Sequence, residues 1–220
     1  MGAGICKAGF EAVVVKGLAK TVGAIVLSPA TGFFLSLLLV LFVSWTLFKT
    51  SRYKTDKLFR YGQFVSASAY SLGHGGNDAQ KTMGIIAALL FAHGMSGGSF
   101  HVPFWVVITC QAAMGLGTPF GGWRIVRTMG SRITHLTPMQ GVCAETAGSI
   151  TLFGATWLGI PVSTTHTITG AIIGVGAARR VSAVRWSVAK DIVTAWIVTM
   201  PASGLIAAVF YYLGGAFGMT

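Results

Sequence analysis

Two polar stretches interrupt an otherwise apolar chain, and between them they hold most of the residue types that can do chemistry. The first, Gly73-His74-Gly75-Gly76-Asn77-Asp78-Ala79-Gln80-Lys81-Thr82-Met83-Gly84, sets a carboxylate, an amide and a lysine inside a long apolar segment. The second, Pro161-Val162-Ser163-Thr164-Thr165-His166, joins a helix-ending proline to three consecutive hydroxyls. A charge inside a membrane costs at least about 2.5 kcal/mol on insertion scales, so Asp78 and Lys81 mark a functional site. Glycines at 73, 75 and 76 allow the backbone to turn and expose carbonyl oxygens, which a hard cation such as Na+ takes together with Asp78 and Asn77. Lys81 lies three residues after Asp78, on the same helical face, and is placed to pair with it. The plainer alternative is a turn in which Asn77 or Asp78 caps the next helix, with Lys81 only neutralising Asp78. A His74–Asp78 metal pair is a further alternative.

In the second stretch, hydroxyl donors and the free N–H groups of a helix starting near His166 form an anion site without a full positive charge. That suits a substrate that must leave again. An ordinary Ser/Thr cap uses the same residues. Glu145, in Cys143-Ala144-Glu145-Thr146-Ala147-Gly148, has no basic residue within one helical turn. It is therefore protonated, meets a cation, or hydrogen-bonds a neighbouring span.

The elements that position these groups follow from composition. The chain is 53% hydrophobic and 10% charged, with a mean hydropathy of +0.71. Such a chain is expected in a bilayer, as an all-α integral membrane protein. Thirty glycines in so apolar a chain point to close helix packing and broken helices. The net charge of +11 raises the question of nucleic acid. The basic residues instead cluster between apolar stretches: Lys49, Arg52, Lys54, Lys57 and Arg60; Arg124, Arg127 and Arg132; Arg179, Arg180, Arg185 and Lys190. That is the pattern of cytoplasmic loops, and no nucleic-acid partner is expected. Cys6, Cys110 and Cys143 are odd in number and far apart, which implies no disulfide framework. Residues 1–8 lack the charged and apolar regions of a removable signal peptide.

After an N-terminal segment at 1–20, spans are expected at 21–48, 58–92, 102–118 and 192–213. Pro29 kinks the first or marks where its regular helix starts. The 58–92 segment reads as two half-helices meeting at a break over 73–78. The 93–101 loop has no Lys or Arg, so the three basic clusters share the cytoplasmic side and 138–178 begins and ends there. Its second arm, 166–178, is about 20 Å long at about 1.5 Å per residue, short of the roughly 30 Å hydrocarbon core. A re-entrant helical hairpin with its tip at 161–165 fits, covered by protein or water. Gln111 suits a helix–helix hydrogen bond, and the arginines of the second cluster face lipid headgroups.

Taken in order, Gly75-Gly76-Asn77-Asp78-Ala79-Gln80-Lys81-Thr82-Met83-Gly84, Arg124-Ile125-Val126-Arg127-Thr128-Met129-Gly130, Leu136-Thr137-Pro138, Glu145 and Pro161-Val162-Ser163-Thr164-Thr165-His166 resemble the inorganic phosphate transporter family of the PiT type. The resemblance is to its C-terminal half, from about Lys20 onward. It implies one half of an inverted-repeat secondary transporter in the plasma (inner) membrane. The cargo would be inorganic phosphate, carried with Na+ or H+, in some members as a neutral metal–phosphate complex. Ser163, Thr164 and Thr165 would hold phosphate, and Asn77, Asp78 and Glu145 would serve the coupling ion. Gly75, Gly76, Lys81 and His166 would support them, with no further cofactor or metal. A full-length member carries its own Asn-Asp motif and hydroxyl-rich hairpin in an N-terminal half, whereas this chain has one copy of each. The implied partner is thus that half, or another copy of this chain, besides membrane lipid. An ion channel lined by the Gly-rich break is the alternative from another class, and a non-transporting subunit or fragment a further one. No base-plus-orienter pattern sits near Ser163 or His166, so no enzyme is expected.

Overall fold

Helix formers and long apolar runs give helices almost throughout, in a computed structural model that describes residues 2–95, 97–122 and 127–216. Arg124 of the second basic cluster falls outside them. The helices are α1 (Gly2–Ala8), α2 (Val15–Thr46), α3 (Arg52–Ala92), α4 (Phe104–Gly121), α5 (Pro138–Trp157), α6 (Thr164–Arg179) and α7 (Trp186–Ala216), with no strand among the described residues. Both α2 and α7 are long and apolar enough to cross a membrane.

The chain divides into two compact units, Ala24–Val184 and a smaller one made of Met1–Gly23 with Arg185–Thr220. In the smaller unit α1 packs on α7, and Gly2 lies so close to the Gly204 backbone that a side chain has no room. Ile197, Leu205, Val209 and Phe210 of α7 are exposed, as lipid-facing residues must be.

The larger unit corrects one expectation. No break occurs at 73–78, because α3 is a single helix of 41 residues. None of its glycines adopts positive φ; among the described residues those that do are Gly9, Gly94, Gly97, Gly98 and Gly159. Gly73 instead serves packing: a Cβ there would lie 3.4 Å from the Leu152 Cβ of α5. The backbone carbonyls of this stretch stay in the helix rather than facing a cation, and Asp78 and Lys81 project from an intact cylinder. At about 1.5 Å per residue α3 is roughly 60 Å long, which leaves room beyond the hydrocarbon for Lys54, Lys57 and Arg60. They sit on its first turns rather than in a loop.

Pro29 lies inside α2 and does not mark its start. Having no N–H, it leaves the Ile25 carbonyl without a helical donor, and the His166 side chain of α6 bonds that carbonyl. Small residues do the rest at this crossing. Ala24, Ser28, Gly32, Ser36 and Val40 recur every fourth position and are buried. Opposite them, a Cβ on Gly170 would overlap the Pro29 backbone, and one on Gly174 the Phe33 carbonyl and Ser36 Oγ. Ser36 Oγ donates to the Ala171 carbonyl at 2.8 Å. This is the small-residue helix contact of membrane proteins.

Pro138 and a reciprocal Thr137–Gln140 capping box start α5. Gly159, at φ 63, reverses the chain after it, and Ser163 caps α6. The two helices pack on each other, and α5 packs along α3. Helix α4 packs on α3 through Val106 and Cys110 against Ala79 and Met83.

Candidate functional site

Because α3 is unbroken, Gln63, Ser66, Tyr70, His74, Asn77 and Lys81, spaced by three and four residues, form one polar stripe along it. Each cluster of the site is made by part of this stripe, or by Asp78 beside it, meeting α5, the α5–α6 turn or the first residue of α6.

At one end Asp78 stands at the centre. Lys81 Nζ lies 2.8 Å from its Oδ1, and Thr164 Oγ1 donates to its Oδ2 at 3.1 Å. His74 Nε2 is 3.6 Å from the same Oδ2. Lys81 Nζ also donates to the Val162 carbonyl at 2.9 Å. An ammonium has three donors, so Lys81 keeps one beyond these two bonds. Asn77 Nδ2 donates to Thr156 Oγ1 at 3.3 Å, while its buried Oδ1 finds no hydrogen-bond partner among the described residues. A cavity of about 210 Å³ opens here, lined by Asn77, Gln80, Lys81, Thr156 and the turn at 159–161.

The three hydroxyls of the second motif are used differently. Ser163 Oγ accepts from the His166 backbone N–H at 3.4 Å, as a helix cap. Thr164 is buried and holds Asp78. Thr165 is half-buried, and its carbonyl accepts from Thr169 Oγ1 at 2.7 Å. Glu145 is held at the other end of the stripe, where its carboxylate accepts from the Ser66 hydroxyl and the Gln63 side chain. Gly75 faces the Gln111 side chain of α4, and nothing lies within 4 Å of a Cβ built on Gly76. Neither glycine lines the Asp78–Thr164 contact.

The structure therefore joins Asp78, Lys81 and Thr164 at one point, with Asn77 beside them and Glu145 apart. Sequence reasoning passed over Gln63, Ser66, Tyr70 and Thr156. The first three carry a signal, their helical spacing with His74, Asn77 and Lys81; Thr156 carries none. No group of three or more His, Cys, Asp or Glu suited to a metal ion occurs among the described residues.

Long apolar helices and a half-buried polar stripe that carries a charge pair define an integral membrane protein with a polar site between its helices. The model of the phosphate transporter family matches residues 1–207, and the chain belongs to that family. Its members are transporters rather than enzymes. The chain is 70% identical over 212 residues to a probable low-affinity inorganic phosphate transporter of Rhizobium meliloti (strain 1021), covering 96% of this chain and 64% of that protein. It is 42% identical, at the same coverage, to the probable low-affinity inorganic phosphate transporter of Bacillus subtilis (strain 168). It thus spans less than two thirds of the length of these relatives. Among solved structures, the sodium-dependent phosphate transporter shares the fold at a TM-score of 0.88 and 23% identity, over 97% of this chain and 70% of that one.

Proposed function

We propose that this chain is the C-terminal half of an inverted-repeat secondary transporter that carries inorganic phosphate across the plasma (inner) membrane with Na+ or H+. An N-terminal half, or a second copy, completes it. The observation that carries this reading is the meeting of Asp78, Lys81 and Thr164 beside the cavity at the α5–α6 turn. The names of the relatives support phosphate as cargo, and that of the fold neighbour supports Na+ as the coupling ion.

In this arrangement Asp78 occupies both Lys81 and the Thr164 hydroxyl. A cation or proton taken up by Asp78, with Asn77 Oδ1 as a further oxygen, weakens both bonds. Lys81 and Thr164 then turn their donors to phosphate, with Ser163, Thr165 and the N-terminus of α6 around it. Cation and anion each improve the other's binding, because both depend on the same rearrangement. Glu145 offers a second coupling-ion position, while Gly75, Gly76 and His166 support the site. The α5–α6 pair is re-entrant: the 16 residues of α6 extend about 24 Å, less than the roughly 30 Å of hydrocarbon.

The test is radiolabelled phosphate uptake into proteoliposomes holding the chain alone or together with a separately expressed N-terminal half. Saturable uptake that needs a Na+ or proton gradient is expected, and Asp78→Asn and Thr164→Ala should each abolish most of it. Uptake indifferent to both substitutions sinks the site; no uptake in any combination sinks the function.

A further inference from the structure

Tyr70 belongs to no motif, yet it touches the site from the same helix as Asp78. Its hydroxyl donates to the Thr164 carbonyl at 3.1 Å, and the hydroxyl of the same Thr164 holds Asp78. The first residue of α6 is thus gripped twice by α3, once through its backbone and once through its side chain. The Tyr70 ring fits a notch cut for it. A Cβ on Gly148 of α5 would stand 2.8 Å from the ring Cε2 and 3.0 Å from Cδ2, so any side chain there displaces the ring. Asp78 and Glu145 both lie within electrostatic reach of the hydroxyl. Tyr70 therefore stands between the two carboxylate clusters.

We propose that Tyr70, seated on Gly148, is a positioning residue that sets where Thr164 stands against Asp78. Its role in phosphate handling rests on the transport reading above, while the latch itself is a property of the fold. Tyr70→Phe keeps the ring in its notch and removes only the hydroxyl, so it tests the bond without opening a cavity.

Two measurements on the full chain decide the matter. Hydrogen exchange should quicken about fivefold at the first turn of α6 in Tyr70→Phe, the effect of one net hydrogen bond, with α2 and α4 unchanged. In uptake assays the phosphate KM should rise by about the same factor with the maximal rate nearly kept, the split expected of misplacement rather than of misfolding. Gly148→Ala should reproduce both effects, and the double variant should be no worse than either single one. A Tyr70→Phe protein with unchanged exchange and unchanged KM overturns the proposal, as do fully additive effects. Wild-type chain that takes up no phosphate, alone or with the N-terminal half, overturns the transport reading instead, and the exchange data then judge the latch alone.

Discussion

A carboxylate that holds a lysine and a threonine at once responds differently to the loss of each. Thr164→Ser keeps the hydroxyl and should keep most phosphate uptake, whereas Thr164→Val should lose it; the two proteins are to be compared at equal membrane amounts. Lys81→Met leaves the partly enclosed Asp78 without its counter-charge. It should cost about 1–2 kcal/mol in a detergent melt. Adding Asp78→Asn should recover much of that loss, since the second change removes the stranded charge. Asn77, Asp78, Lys81 and Glu145 were legible in the sequence because charge and amide stand out in an apolar span. Gln63, Ser66 and Tyr70 were not, for a physical reason. A break at 73–78 would cut their stripe in two, and only an unbroken α3 brings residues 63 through 81 onto one face.

At the scale of elements the ambiguous residue is glycine. Sequence cannot separate a glycine that lets the chain turn from one that lets two helices touch; the neighbour across the gap decides. Gly73, Gly170 and Gly174 are of the second kind, and Gly159 of the first. Gly170→Ala should therefore cost more than about 2 kcal/mol, because the Pro29 backbone cannot yield. Gly84→Ala, with nothing within 4 Å, should stabilise the protein in the same melt by up to about 1 kcal/mol of helix propensity. The helix starts were better marked than the interiors. Thr137-Pro138 with Gln140, and Ser163 after Pro161, are capping patterns that the structure realises as caps. Ser163→Ala should accordingly cost about 1 kcal/mol in thermal unfolding and Ser163→Asn much less, since asparagine also caps.

At the scale of the molecule, composition points to the solvent and basic residues to the sidedness. The expected topology places the 93–101 loop outside and the Lys49–Arg60 cluster inside. In a cysteine-free background, Ser99→Cys should react with an impermeant thiol reagent in intact cells, and Lys54→Cys only after lysis. The reverse pattern would invert the topology. What the sequence of one chain does not contain is whatever meets the exposed edges of its polar stripe, such as Lys81, whose side chain is 45% exposed. The bond from His166 to the Ile25 carbonyl has a mechanical side. Peeling α6 from α2 would strip a proline-freed carbonyl of its donor and part Ser36 from Ala171 in a medium with no water to replace either. The two helices therefore behave as one stiff strut. The joint left to flex is the α5–α6 turn with the first residue of α6 against α3, held at Val162 by Lys81 and at Thr164 by Asp78 and Tyr70.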